Sequence, residues 1–158
     1  MSRTVTARPS LQENTNGVTI LVIDGYKDDR VFYAARLKAV FPDGRVLEAQ
    51  DGQIGSEILR RVRIDVLILE LELPDISGFE ILISAIPVAR SPQLPVIVLT
   101  RIPDPAFWEL ARKNGAFACL WKSITSGREL TATVMQGLAR IPQAKEREPR
   151  FSPSGRMP

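Results

Sequence analysis

The chain has 158 residues, 44% hydrophobic and 25% charged, a one-domain length with enough apolar content for a real core. Its net charge of +3 sits in the ends: residues 1–17 and 142–158 hold the whole excess and residues 18–141 balance, so no basic groove recommends a nucleic acid. There is no histidine and a single cysteine, Cys119, which excludes imidazole catalysis, imidazole metal ligation, phosphohistidine formation within the chain and any internal disulfide.

No apolar run approaches the ~20 residues that span a bilayer. The opening "MSRTVTARPSLQENTNG" lacks the apolar segment of a secretory signal. A cytoplasmic protein is the expectation, without membrane or nucleic-acid partners. The closing "QAKEREPRFSPSGRMP" is too polar and proline-rich to pack. The sequence therefore predicts disordered tails over 1–17 and 142–158 around a folded domain at 18–141.

In chain order, two periods alternate. "VTILVID" (18–24) is an apolar strand, and "DDRVFYAARLKAVF" (28–41) has helical spacing with Val31, Ala34, Ala35, Leu37 and Phe41 on one side. "RVLEAQ" (45–50) is a strand and "GSEILRRV" (55–62) belongs to a helix. "DVLILE" (65–70) is a strand, followed by a helix from about Gly78 that stops or kinks at Pro87. "PVIVLT" (95–100) and "FACLW" (117–121) are strands, followed by helices at 104–115 and 127–141. Ser77 and Ser126 are expected N-caps, with Glu80 and Glu129 reaching back as capping boxes. Asp104-Pro105 starts the fourth helix and Gly115 ends it.

Five βα units with nearly unbroken Val/Ile/Leu in strands 1, 3 and 4 predict an α/β fold, a doubly wound parallel sheet covered on both faces. In such sheets a ligand site lies beyond the carboxyl ends of the strands. Asp24 ends strand 1, Glu70 ends strand 3, Thr100 ends strand 4 and Lys122 follows strand 5. Each alone is only a polar residue where the chain meets water. Together they are two carboxylates, a hydroxyl and a lysine at one sheet edge.

The blocks "ILVID" with "DDR" after it, "DVLILELELPDISGFEIL", "LPVIVLT" and "KNGAFACLWKSI" make residues 18–141 resemble the receiver domain of two-component response regulators. The resemblance implies a flavodoxin-like (βα)5 fold with strand order 2-1-3-4-5. It implies a mechanism too. An aspartate at the end of strand 3 takes a phosphoryl group from a partner's phosphohistidine. Acids after strand 1 help to hold Mg²⁺, a strand-4 hydroxyl and the strand-5 lysine bind phosphoryl oxygens, and a strand-5 aromatic switches rotamer. The chain keeps Asp24, Thr100 and Lys122. Gly25 replaces the second metal-ligating acid, Glu70 the phosphoacceptor, Cys119 the switch aromatic, and Ser123 the proline after the lysine.

These departures predict a degenerate receiver. No cofactor is required, and a weakened Mg²⁺ site would fall to Asp24, Glu70 and Glu72, since Mg²⁺ demands near-octahedral oxygens. Glu70 beside Lys122 reads two ways, as a structural ion pair or as a partial imitation of the phosphorylated state. Cys119 reads as an apolar filler, with Trp121 two residues on pointing to the same face. Expected partners are a sensor histidine kinase, a phosphotransfer protein or another signalling protein, with a homodimer through helix 4, strand 5 and helix 5. Trp108, Arg112 and Lys113 are candidates on that surface, unless Trp108 packs inward. Three other readings compete. One is a phosphorylatable regulator with an unusual acceptor. Another is a phosphatase, whose second acid would fall where Tyr26 stands. The last is a nucleic-acid regulator, against which only seventeen residues follow the last helix.

Overall fold

The computed structural model describes residues 17–90 and 93–140. The tails expected at 1–17 and 142–158 lie, apart from Gly17, outside these residues.

Strands β1 (Thr19–Ile23), β2 (Arg45–Ala49), β3 (Val66–Leu69), β4 (Val96–Thr100) and β5 (Ala118–Trp121) form one parallel sheet in the order β2-β1-β3-β4-β5. This is the expected doubly wound fold. Alternation sorts each strand between two cores. Leu21, Ile23, Leu67, Leu69, Val96 and Val98 face one side, while Ile20, Val22, Val66, Ile68, Ile97 and Leu99 face the other.

Five helical segments follow the strands: α1 (Lys27–Val40), α2 (Gly52–Arg61), α3 (Gly78–Glu80, continuing as π-helix over Ile81–Ala85), α4 (Pro105–Lys113) and α5 (Gly127–Ala139). Leu59 of α2, Ile81 and Leu82 of α3 and Ala111 of α4 close the first core. Tyr33 and Leu37 of α1 with Leu130 and Val134 of α5 close the second. The helix at 78 ends before Pro87, as the missing N–H requires. Gly115, at φ +104°, turns the chain out of α4.

Two local expectations need correction. On α1, Tyr33, Ala34 and Leu37 are buried, whereas Val31 and Ala35 are exposed. The buried stripe is set by where β1 and α5 meet the helix, and Tyr33 occupies the place expected of Val31. The two capping boxes are half made. Ser126 accepts from the Glu129 amide and Ser77 from the Phe79 amide, but neither Glu80 nor Glu129 returns a bond, both side chains facing water.

Candidate functional site

The sheet ladder runs on past the strands and fixes the site's backbone. Asp24 N–H donates to Ala49 O at 3.0 Å, Glu70 N–H to Ile23 O at 2.9 Å and Lys122 N–H to Thr100 O at 2.9 Å. Asp24, Glu70, Thr100 and Lys122 therefore leave the core side by side. Gly78 completes the mould: a Cβ there would meet Glu70 O at 2.6 Å, so only glycine lets α3 start hard against the end of β3.

Glu70 is 1% exposed, yet every face of its carboxylate is answered. Oε1 accepts from the Thr100 hydroxyl at 2.5 Å and from the Glu72 amide at 3.1 Å. Oε2 accepts from the Arg101 amide at 3.1 Å and pairs with Lys122 Nζ at 2.9 Å. A buried carboxylate survives only with such compensation.

Lys122 is equally committed. Its Nζ lies 2.7 Å from Asp24 Oδ2, 2.9 Å from Glu70 Oε2 and 3.0 Å from Asp29 Oδ2. Burial works against the ammonium, but the Glu70 charge and the bond to Asp24 outweigh it and hold its pKa above the ordinary lysine value. Burial pushes Asp24 above the usual carboxylate range, against the pull of Lys122 and the Tyr26 amide. Asp29 is also disfavoured by burial, yet the bonds from Arg101 and Lys122 prevail and lower its pKa.

Three side chains that the sequence reading did not assign to the site roof it. Tyr26 O–H donates to Glu72 Oε2 at 3.0 Å. The Arg101 guanidinium stacks 3.9 Å from the centre of the Tyr26 ring and its Nε donates to Asp29 Oδ2 at 2.9 Å. Asp29 stands in the "DDR" block and Arg101 follows Thr100 directly, but nothing in the linear order tells that a tyrosine would bring them together.

Glu72 does not join Asp24 and Glu70. Its carboxylate faces Tyr26, and its contribution to Glu70 is the backbone amide. Among the described residues no group of three or more acidic, cysteine or histidine side chains is arranged to hold a metal ion. At Gly25 a Cβ would meet Pro74 Cδ at 2.8 Å, so the space for another side chain is already taken. As arranged, the donor set does not fit Mg²⁺.

On β5, Cys119 and Trp121 point to the same face, and both meet Trp108. The Cys119 thiol donates to Trp108 O at 3.3 Å, and the Trp108 and Trp121 rings lie 6.1 Å apart. Burial pushes the Cys119 thiol pKa up, away from reactivity. Trp108 is half-buried and its indole N–H donates to Ile102 O at 2.9 Å. Of the three surface candidates it takes the inward alternative, while Arg112 and Lys113 are exposed. The exposed large apolar side chains of α4 are Phe107 and Leu110.

The family model for the response regulator receiver domain matches residues 20–135. The chain belongs to the response regulator receiver family. A receiver domain is a signalling module of two-component systems. The chain is 33% identical to the transcriptional regulatory protein AfsQ1 of Streptomyces coelicolor over 113 residues, covering 72% of this chain and 48% of that protein. It is 27% identical to a probable cyclic di-GMP phosphodiesterase of Vibrio cholerae, again over 72% of this chain but 25% of the relative. This receiver thus spans half or less of these two relatives. The receiver-domain structure from Clostridium thermocellum aligns with a TM-score of 0.69 at 29% identity, covering 78% of this chain and 95% of that one. No helix among the described residues is long and apolar enough to cross a membrane.

Proposed function

We propose that this receiver signals by protein contact without accepting a phosphoryl group, its Glu70 carboxylate engaging the donors that the family turns toward a phosphoryl group. The observation that carries this reading is the bond from the Thr100 hydroxyl to Glu70 Oε1 at 2.5 Å, beside Lys122 on Oε2 at 2.9 Å. Glutamate carries one charge and two oxygens where a phosphoryl group carries about −1.5 to −2 and three. The amides of Glu72 and Arg101 add two further bonds to those two oxygens. Glu70 is thus both a structural partner of Lys122 and a fixed substitute for the phosphorylated state. With both oxygens so engaged, the carboxylate is a poor nucleophile. Misplacement of reacting atoms by ~1 Å costs about 100-fold in addition.

In this reading the chain is not an enzyme and works with no required cofactor. Its partners are a sensor histidine kinase, a phosphotransfer protein or another signalling protein. The exposed Arg112 and Lys113, on the helix 4–strand 5–helix 5 side, belong to the contact surface, where a homodimer also forms.

The test is incubation with a small phosphodonor, with and without Mg²⁺, read by intact mass. The wild type is expected to stay unmodified. Glu70→Asp is run alone and with Gly25→Asp, which must displace the Pro74 ring. The double variant is expected to gain one phosphoryl group. A modified wild type overturns the proposal.

A further inference from the structure

We infer that the groove between α2 and the end of α3 is a docking site for an acidic peptide segment of a partner protein, one that carries an apolar anchor. The groove holds about 230 Å³ and is lined by Ser56, Arg60, Ser84, Ala85 and Val88. α3 starts hard against the end of β3, and Ser84 and Val88 lie further along the chain, away from Glu70.

One wall is apolar where it should not be. The run "ILISAIPVA" (81–89) carries no charge. Ile81, Leu82, Ile86 and Ala89 are buried, yet Ile83 is 60% and Val88 68% exposed, with Ser84 and Pro87 beside them in solvent. A helix side that faces water is ordinarily polar or charged, so this one is a face without its partner. The segment is also π-helical, Ile86 N–H reaching back to Ile81 O at 3.0 Å, a wide turn of the kind that recurs at functional sites.

The other wall is basic. α2 runs out in "RRVR" (60–63). Glu57 is shared by Arg60 at 2.7 Å and Arg61 at 2.6 Å, and both guanidinium side chains stay more than half exposed. Arg63 is exposed and has no carboxylate partner among the described residues. Arg90 joins them, its amide on Leu59 O at 3.2 Å and its guanidinium on Arg61 O at 3.3 Å. The helix dipole accounts for Arg60 and Arg61 in the last turn of α2, but not for Arg63 past it or for the uncharged face across the groove. Carboxylates of a bound segment answer the arginines, while an apolar side chain settles against Ala85 and Val88. Residues 1–17 and 142–158 are themselves net basic, so the chain's own ends are the wrong occupant. A narrow concave site suits a peptide better than a membrane surface or a duplex.

The test is fluorescence anisotropy of a labelled peptide of glutamates interrupted by leucines at helical spacing, titrated with the full chain. Saturable binding is expected, weakening as salt rises. The same peptide with serine for leucine, or with lysine for glutamate, is expected not to bind. Arg60→Glu with Arg63→Glu is expected to weaken binding by about tenfold or more, because like charges then meet, and Val88→Asp is expected to do the same. Arg112→Glu with Lys113→Glu, on α4, is expected to leave binding unchanged. Circular dichroism checks that each variant folds. If the double reversal does not, Val88→Asp at its solvent-facing position decides. No binding by the wild type overturns the inference, as does equal binding of the serine peptide or binding that only the α4 reversal removes. Anionic phosphatidylglycerol vesicles or duplex DNA held by these arginines, with the peptide ignored, overturns it too. The inference goes beyond the proposed function and does not depend on it. A phosphorylated wild type sinks that proposal and leaves this one, while a peptide that fails to bind does the reverse.

Discussion

At the scale of residues, one methylene separates Glu70 from an aspartate, about 1.5 Å of reach. That reach carries the carboxylate to the Thr100 hydroxyl and the Arg101 amide as well as to Lys122. The same lysine couples the site to pH. Its folded pKa is raised, so its contribution to stability is complete below the unfolded value of about 10.4 and is lost as pH rises through the folded value. Lys122→Met should cost about 3–5 kcal/mol near neutrality, because it strands buried carboxylates. Denaturant titrations of the two proteins from pH 8 to 11.5 are expected to show the gap narrowing at the alkaline end. A constant gap across that range would mean that the ammonium does not carry the effect.

At the scale of elements, the loop between β3 and α3 is tied down at both ends. Glu72 reaches Tyr26 on the first loop, and Asp75 reaches the start of α2, accepting from the amides of Gly52 and Gln53 at 2.8 Å each. The helix thus has two caps, its own Asp51 on the Ile54 amide at 2.7 Å and a remote one from the loop that begins at Glu70. Burial works against the Asp75 carboxylate, but the backbone amides, Gly52 and Gln53 foremost, together outweigh it and hold its pKa below the ordinary value. A depressed carboxylate stabilises above the unfolded pKa of about 3.9 and ceases to as pH falls through its folded pKa. Asp75→Ala is therefore expected to lower stability by about 1 kcal/mol at pH 7. The deficit should narrow below pH ~4, as read by melting the two proteins side by side.

At the scale of the whole molecule, β3 is the hinge between two cores. It pairs with β1 on one edge and β4 on the other. Leu67 points into one apolar layer and Ile68 into the other. A cavity at either position weakens both layers through the shared strand. Leu67→Ala is expected to cost about 2–5 kcal/mol and to unfold in one cooperative transition, with circular dichroism and tryptophan fluorescence superimposing. Two separated transitions would show that the layers fold independently.

Much of this molecule was legible in the linear order of residues. Alternating periods of two and about 3.6, with caps at Ser77, Asp104 and Ser126, determine ten elements and the doubly wound sheet, because those signals are local or strictly periodic. Parallel pairing then sends Asp24, Glu70, Thr100 and Lys122 to one edge, since each closes or follows a strand. Only the tertiary structure decided what these four do there. Asp29 joins the lysine, Arg101 stacks on Tyr26, Glu72 turns to Tyr26 instead of toward Asp24, and Trp108 packs against Trp121. It also decided that Tyr33 and not Val31 is buried on α1. The physical reason is common to all of them. A strand end is placed by its own hydrogen-bond ladder, whereas a long side chain or a loop takes the rotamer and direction that non-local partners allow, and those partners meet only after the sheet has formed.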